Sequence, residues 1–472
     1  MENNKLDSKM VKISLIMLLG MIAPALDATV VNVAIKTIVS ELHSSISVAQ
    51  WITTAYILTM GITVPISGWL VNRFSGKAVY MISLVVFGLG SIGAALAWNI
   101  ESLIVFRVVQ AAGAGVMMPV TQTVLVRYAG GAKLPRLMAI LGIPMAIIPI
   151  LGPTIGGLVV NYLPWQWIFV VNIPICVIAF IVGQVCLPPV SAVNRQQPLD
   201  IIGLLLLSPA FCVIIFGISK LRSEASGASQ MAALYFAAGA ILLIAYCIYV
   251  LRSKKEPPLN IRLFKDKNFS ASTVLILLYG MFSTGTLFIL PLFFQQTYKV
   301  SALAAGLLLA PQGIGMLLTR TLSAKLMEKI GGRPVILAGL VCTLLGTVPL
   351  ALFHTNGSLI FPIIILLIRG AGLGLALVPI MTGVYDGLDK KDVPQGTTAT
   401  RIFQQIGGAL GTAVLAIILS HDLAATNDAN IFTAFNPVFW WSAVFAAVSI
   451  IPVFILAKKK TVEQQEKEIR QV

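Results

Sequence analysis

GWLVNRFSGKAV, residues 68–79, is a short basic turn between two apolar runs, and AKLMEKIGGRPV, residues 324–335, repeats it without a gap. Leu70 matches Leu326, Gly76 matches Gly332 and Val79 matches Val335, while Arg73 and Lys77 meet Lys329 and Arg333. A weaker echo links FRVVQAAGAGVMMP (106–119) to IRGAGLGLALVP (368–379), each with an Arg ahead of a glycine-rich stretch that ends in Pro. Two echoes at one consistent offset mark a duplicated architecture.

The runs around these turns are long. Only 11% of the 472 residues are charged and 57% are hydrophobic, against about 25% charged in a soluble domain. Fourteen apolar runs each approach the ~20 residues that carry a helix across a bilayer. They lie at 13–36, 48–71, 79–98, 102–126, 137–161, 167–187, 200–219, 232–251, 269–296, 302–323, 334–353, 358–380, 399–420 and 437–457. The first is too long for a signal-peptide core and is expected to stay as a span. The turn echo pairs span 2 with span 10, and the glycine echo pairs span 4 with span 12. This predicts an all-α polytopic membrane protein. A six-helix bundle occupies 1–187, two inserted helices with their linkers 188–268, and a second six-helix bundle with a basic tail 269–472.

The net charge of +15 is a topology signal rather than a nucleic-acid footprint. If the N-terminus is cytoplasmic, 25 of the 33 basic residues fall in cytoplasmic segments and four (Lys36, Lys220, Arg222, Lys299) on the other side. That asymmetry follows the positive-inside rule and places both termini in the cytoplasm of a cell-membrane protein. The basic excess also attracts anionic lipid headgroups. The five cysteines all fall in apolar runs, with no metal-ligand spacing.

Few polar residues stand deep within the runs. Asp27 lies about nine residues from the outer end of span 1, roughly 13 Å deep at 1.5 Å per residue. A charge there costs about 2.5–3.5 kcal/mol on insertion scales. A carboxyl so placed can hold a proton or a positive substrate group, but not both; otherwise it ties helices together. Arg107, five residues inside the outer end of span 4, sits at comparable depth. It either tunes proton release from Asp27 or forms a fixed buried ion pair. Arg369 lies mid-span in 12, too far from either end to reach water readily, whereas Arg320 and Arg401 lie nearer span ends and can snorkel. Asn32, Tyr56 and Gln110 complete a set of substrate-cavity candidates with Arg369. Gly152, Pro153, Gly156 and Gly157 give span 5 a kinked, closely packing face.

These stretches resemble the major facilitator transporters, and jointly their fourteen-span drug:proton antiporter branch. GWLVNRFSGK (68–77) resembles the loop motif, LDATVVNVAI (26–35) the first-span motif and RVVQAAGAG (107–115) the span-4 motif. LGPTIGG (151–157) resembles the span-5 antiporter motif, and WQWIFVVNIP (165–174) the start of span 6. Asn72 stands where the family carries Asp, Lys36 where Pro is common and Gln166 where Arg is common. The resemblance implies a major facilitator fold, with spans 1 and 4 lining a central cavity. It also implies a latch at Gly68, Arg73, Gly76 and Lys77, and a seal against ion leak at the span-5 glycines. The plainer readings are a solvated basic loop and generic helix packing.

The expected function is export of small lipophilic compounds, cationic or neutral, by a monomer driven by the proton gradient, with no bound cofactor or metal. With one firm intramembrane acid, few protons move per cycle, and monovalent or neutral substrates are favoured over dications. The same fold could instead export one metabolite, lipid or peptide antibiotic. An ATP-driven pump would need a phosphate-binding glycine loop with Lys and Ser/Thr, and none is present. A sensor would need a soluble signalling domain, for which no loop is long enough. A channel without coupled transport remains the reading from another class. The scattered histidines and cysteines supply no catalytic set.

Overall fold

A computed structural model describes residues 8–44, 46–188, 192, 194–196, 198–221, 228–253, 257–300, 302–352, 359–386, 388–389, 392–425 and 431–456. The described residues are helical, without strands. The helices are α1 (Ser8–Glu41), α2 (Ile46–Arg73), α3 (Gly76–Ala95), α4 (Ile100–Tyr162), α5 (Trp167–Val170), α6 (Asn172–Cys186), α7 (Ile201–Leu221) and α8 (Ala228–Arg252). They continue as α9 (Lys267–Thr297), α10 (Ala302–Leu307), α11 (Ala310–Ile330), α12 (Gly332–Ala351), α13 (Ile360–Tyr385), α14 (Val393–Ala425), α15 (Ile431–Val448) and α16 (Ile450–Val453). Twelve helical stretches among them are long and apolar enough to cross a membrane. The runs 137–161 and 302–323 are helical too but outside that set. Side chains of the first are largely outside the described residues. The second breaks between α10 and α11, and α11 carries Arg320, Lys325, Glu328 and Lys329.

The expected loop between spans 4 and 5 is not a loop: α4 is helical throughout 100–162. It is not straight. Val159 shares a buried cluster with Ile100 and Leu103, which a straight helix would hold about 85–90 Å away. The chain therefore doubles back, and its return limb packs beside its own start. Asn99 begins the helix with a capping box, its Oδ1 accepting the Ser102 N–H at 2.8 Å while Ser102 Oγ accepts the Asn99 N–H. Arg127, expected in the loop, instead donates to the Val71 carbonyl (3.2 Å) and to Asn72 Oδ1 (2.5 Å).

The duplication is visible in the packing. Gly115 lies against Met60 and Thr63 of α2, and Gly374 lies against Met316 and Thr319 of α11. Gly113 crosses Ser83 and Phe87 of α3, and Gly372 crosses Gly339 and Thr343 of α12. Gly90 lies on the backbone of Gln110, and Gly346 on that of Arg369. Each α2–α3 residue thus maps onto one 256 positions later, and each α4 residue onto one 259 positions later. In every pair a missing side chain lets two backbones meet, the small-residue packing of membrane helices. At the second basic turn Gly331 takes φ 87°, a left-handed conformation that glycine reaches without steric cost.

The inserted pair α7–α8 braces this frame. Ser208 Oγ donates to the Ile62 carbonyl at 3.2 Å, and Phe216 stacks on Trp51. The linker ahead of α7 returns to the first basic turn, where the Asn194 N–H meets the Asn72 carbonyl at 3.0 Å. Asp200 opens α7, accepting the Gly203 N–H at 3.1 Å and the Tyr249 hydroxyl of α8 at 2.5 Å.

Candidate functional site

Asp27, on α1, is 1% exposed and sits at the centre of a polar network that ties five helices together. Arg107 of α4 donates Nη1 to its Oδ2 in a buried ion pair. Gln110, one turn along α4, donates Nε2 to Oδ1 at 3.0 Å, and Asn172 of α6 donates Nδ2 to the same oxygen at 3.1 Å. Gln110 also reaches Ser91 Oγ of α3 (2.8 Å) and accepts from Arg107 Nη1 (2.6 Å). Arg107 Nε donates to the Ile52 carbonyl of α2 at 3.4 Å. Its guanidinium lies over the Tyr56 ring, 4.0 Å from the centroid, a cation–π contact strengthened by desolvation. Both carboxylate oxygens accept hydrogen bonds from side-chain N–H donors.

Three candidates therefore meet at one point: Asp27, Arg107 and Gln110, with Tyr56 as the floor. Tyr56 Oη is buried and has no partner among the described residues. Tyr56 and Trp165 are both buried. Asn32 is on α1, with its side chain outside the described residues. Asn172 is not among the sequence-derived candidates; it lies inside WQWIFVVNIP, the start of span 6. A polar amide between valine and isoleucine was the available signal.

Arg369 is not the twin of Arg107. The packing frame places Arg369 opposite Gln110, and Leu366 opposite Arg107. The contacts repeat accordingly. Gln110 Nε2 donates to Ser91 Oγ, and Arg369 Nε donates to Thr347 Oγ1 at 3.2 Å, 256 residues after Ser91. Gln312, in the position of Tyr56, accepts Arg369 Nη1 at 2.7 Å, and the Phe282 carbonyl of α9 accepts Nη2 at 2.8 Å. Arg369 thus makes three hydrogen bonds, none to a carboxylate. The expectation that Arg320 snorkels is also corrected: it is 2% exposed, and its Nε and Nη1 have no partner among the described residues.

The turn residues divide. Lys77 Nζ donates to the carbonyls of Gln184 (2.7 Å) and Leu187 (2.9 Å), capping the end of α6. Arg73 lies over the rings of Trp69 and Phe74. Gly76 starts α3. Gly68 faces the second bundle, where an added methyl would meet Thr398 Oγ1 of α14 at 3.3 Å. Gly152 and Gly156 are buried on the return limb of α4; the surroundings of Pro153 and Gly157 lie outside the described residues. On the same side as Gly68, Gln122 Nε2 donates to Tyr385 Oη (2.7 Å), which lies 3.2 Å from Thr397 Oγ1, itself 3.1 Å from Thr123 Oγ1. The two bundles are therefore joined by hydrogen bonds at the face carrying the first basic turn. Tyr385→Phe removes the hydroxyl between Gln122 and Thr397, a loss of about 1–3 kcal/mol for the orphaned amide. A cysteine placed at buried Thr121 should then react several-fold faster with a water-soluble maleimide.

The comparisons follow this geometry. The sequence profile described as Major Facilitator Superfamily matches residues 17–412. The multidrug resistance protein B homolog of Mycobacterium tuberculosis is 31% identical over 89% of this chain and 78% of its own length. The lincomycin resistance protein LmrB of Bacillus subtilis is 28% identical over 96% of this chain and 97% of its own. Among solved structures, the human organic anion transporter MFSD10 superposes with TM-score 0.65 at 16% identity, covering 96% of this chain and 100% of that one. The proton:xylose symporter XylE superposes with TM-score 0.61 at 15% identity, covering 94% and 96%. Those two show the fold alone. Given the profile match, the duplicated bundles and these relatives, the chain belongs to the Major Facilitator Superfamily and is a multi-pass membrane transporter, not an enzyme.

Proposed function

We propose that this transporter exports small lipophilic compounds in exchange for protons, and that Asp27 is the proton-carrying group. The observation that carries the reading is one buried carboxylate on α1 held by donors from α4 and α6, two of which, Arg107 and Gln110, also bond to α2 and α3. Protonation converts one acceptor oxygen into a donor and removes the counter-charge of Arg107. The donors of Gln110, Asn172 and Arg107 can then no longer all be satisfied, and a buried, partly satisfied network is unstable. One proton thus loosens the contacts that hold the first bundle in this arrangement, which is what alternating access between two bundles requires.

Because Arg107 neutralises Asp27, the site offers a cation no free negative charge while the pair is intact. At this pair the uncharged part of a compound is a better fit than a cationic one, and dications are the worst. Relatives named for multidrug and lincomycin resistance support antimicrobial compounds as cargo. The test is uptake of a lipophilic neutral dye into inside-out vesicles with an acidic lumen. Uptake should collapse when a protonophore is added. Uptake that ignores the protonophore would remove proton exchange from the mechanism.

A further inference from the structure

Besides Lys36 at the end of its run, four basic residues stand within the apolar runs, Arg107, Arg320, Arg369 and Arg401, but one acid, Asp27, stands there away from the ends. Asp27 is taken by Arg107. Arg320 and Arg369, both 2% exposed or less, are in no ion pair among the described residues. Both guanidiniums stay charged at any pH a cell meets.

Tyr279 of α9 is buried near both guanidiniums, and its hydroxyl donates to the Leu373 carbonyl of α13 at 3.3 Å. The first bundle has neutral residues at both corresponding positions, Gln110 opposite Arg369 and Val64 opposite Arg320. The second bundle has thus gained two positive charges where its twin has none. A buried unpaired ion is strongly destabilising, and two N–H groups of Arg320 have no partner among the described residues as well.

We infer that Arg320, supported by Tyr279 and Arg369, forms a site in the second bundle for an anionic group of the transported compound, a carboxylate in the simplest case. The guanidinium fork matches a carboxylate with two parallel hydrogen bonds. Cargo would then be an amphipath with one acidic group and an apolar body. The proposal rests on the exporter reading only in calling the ligand cargo. Its test is an equilibrium binding measurement that needs no gradient, so it can fail while proton exchange stands, and the reverse.

The purified full chain in neutral detergent is titrated with 1-pyrenebutyrate and, separately, with its methyl ester, reading probe anisotropy. The native chain should bind the carboxylate about tenfold more tightly than the ester, the worth of one charge-assisted pairing. In R320Q the ester should bind as before and the preference should vanish. If R320Q has lost the ester as well, R320V, which copies Val64 of the first bundle, is read in its place. Equal affinities in the native chain, or a preference that survives in the Arg320 variant, would overturn the assignment.

Discussion

Asp27→Asn is expected to bring gradient-driven transport down to that of empty vesicles. The substitution keeps the shape of the side chain and removes both its charge and its proton. Arg107 is then left buried without a counter-ion, and breaking such a pair costs about 3–5 kcal/mol. Thermal stability should fall with activity, so activity alone does not separate coupling from folding. The double variant Asp27→Asn/Arg107→Gln does so. It removes the orphaned charge, and its melting temperature should recover most of the loss, a coupling typical of residues in direct contact. Its transport should stay at background. Full dye uptake by the single variant would dismiss Asp27 as the proton carrier, whatever its melting temperature.

Gly370→Val is expected to have the largest effect of any change away from the ion pair. A methyl at Gly370 would overlap the Gln312 carbonyl oxygen, and the next backbone atoms, Gln312 C and Cα, lie 2.7 and 2.8 Å away. Backbone is not a flexible side-chain end, so α13 and α11 must separate. Overpacking a well-filled site costs about 1–3 kcal/mol and more where the backbone cannot yield. The consequence also reaches the site, because Gln312 is the acceptor for Arg369 in the next position of the chain. The yield of monodisperse protein should drop severely. Any folded fraction should melt well below the native chain by fluorescence-detected size exclusion after heating. A native melting profile would mean that the two helices pack less tightly than described.

Much of this was legible in the sequence because a membrane leaves few choices. An acid, an arginine and a glutamine among aliphatic residues have to find one another, and Asp27, Arg107 and Gln110 did. The duplicated turn gave the bundle plan through residues 68–79 and 324–335. What misled was alignment by side-chain type. Matching arginine to arginine paired Arg107 with Arg369, whereas the close backbone crossings at Gly113/Gly372 and Gly115/Gly374 set the true frame, one turn away. Arg320 departs from the expectation for a related reason: distance from a helix end decides whether an arginine can reach the surface only if that end is not itself enclosed. The junction near 127–136, with its glycines and proline, carried every mark of a loop, and still the helix runs through it.

The inserted helices have an effect beyond bracing. α7 lies against both α2 and α14, so it screens one of the two edges along which the halves meet. The other edge, where α4 meets α11, is bordered by Ile314, Leu318 and Leu322, all turned outward. Among the described residues, a compound dissolved in the bilayer therefore meets one flank covered by α7 and another that α7 does not reach. If cargo is gathered from the lipid rather than from water, its doorway is on the flank that α7 does not reach.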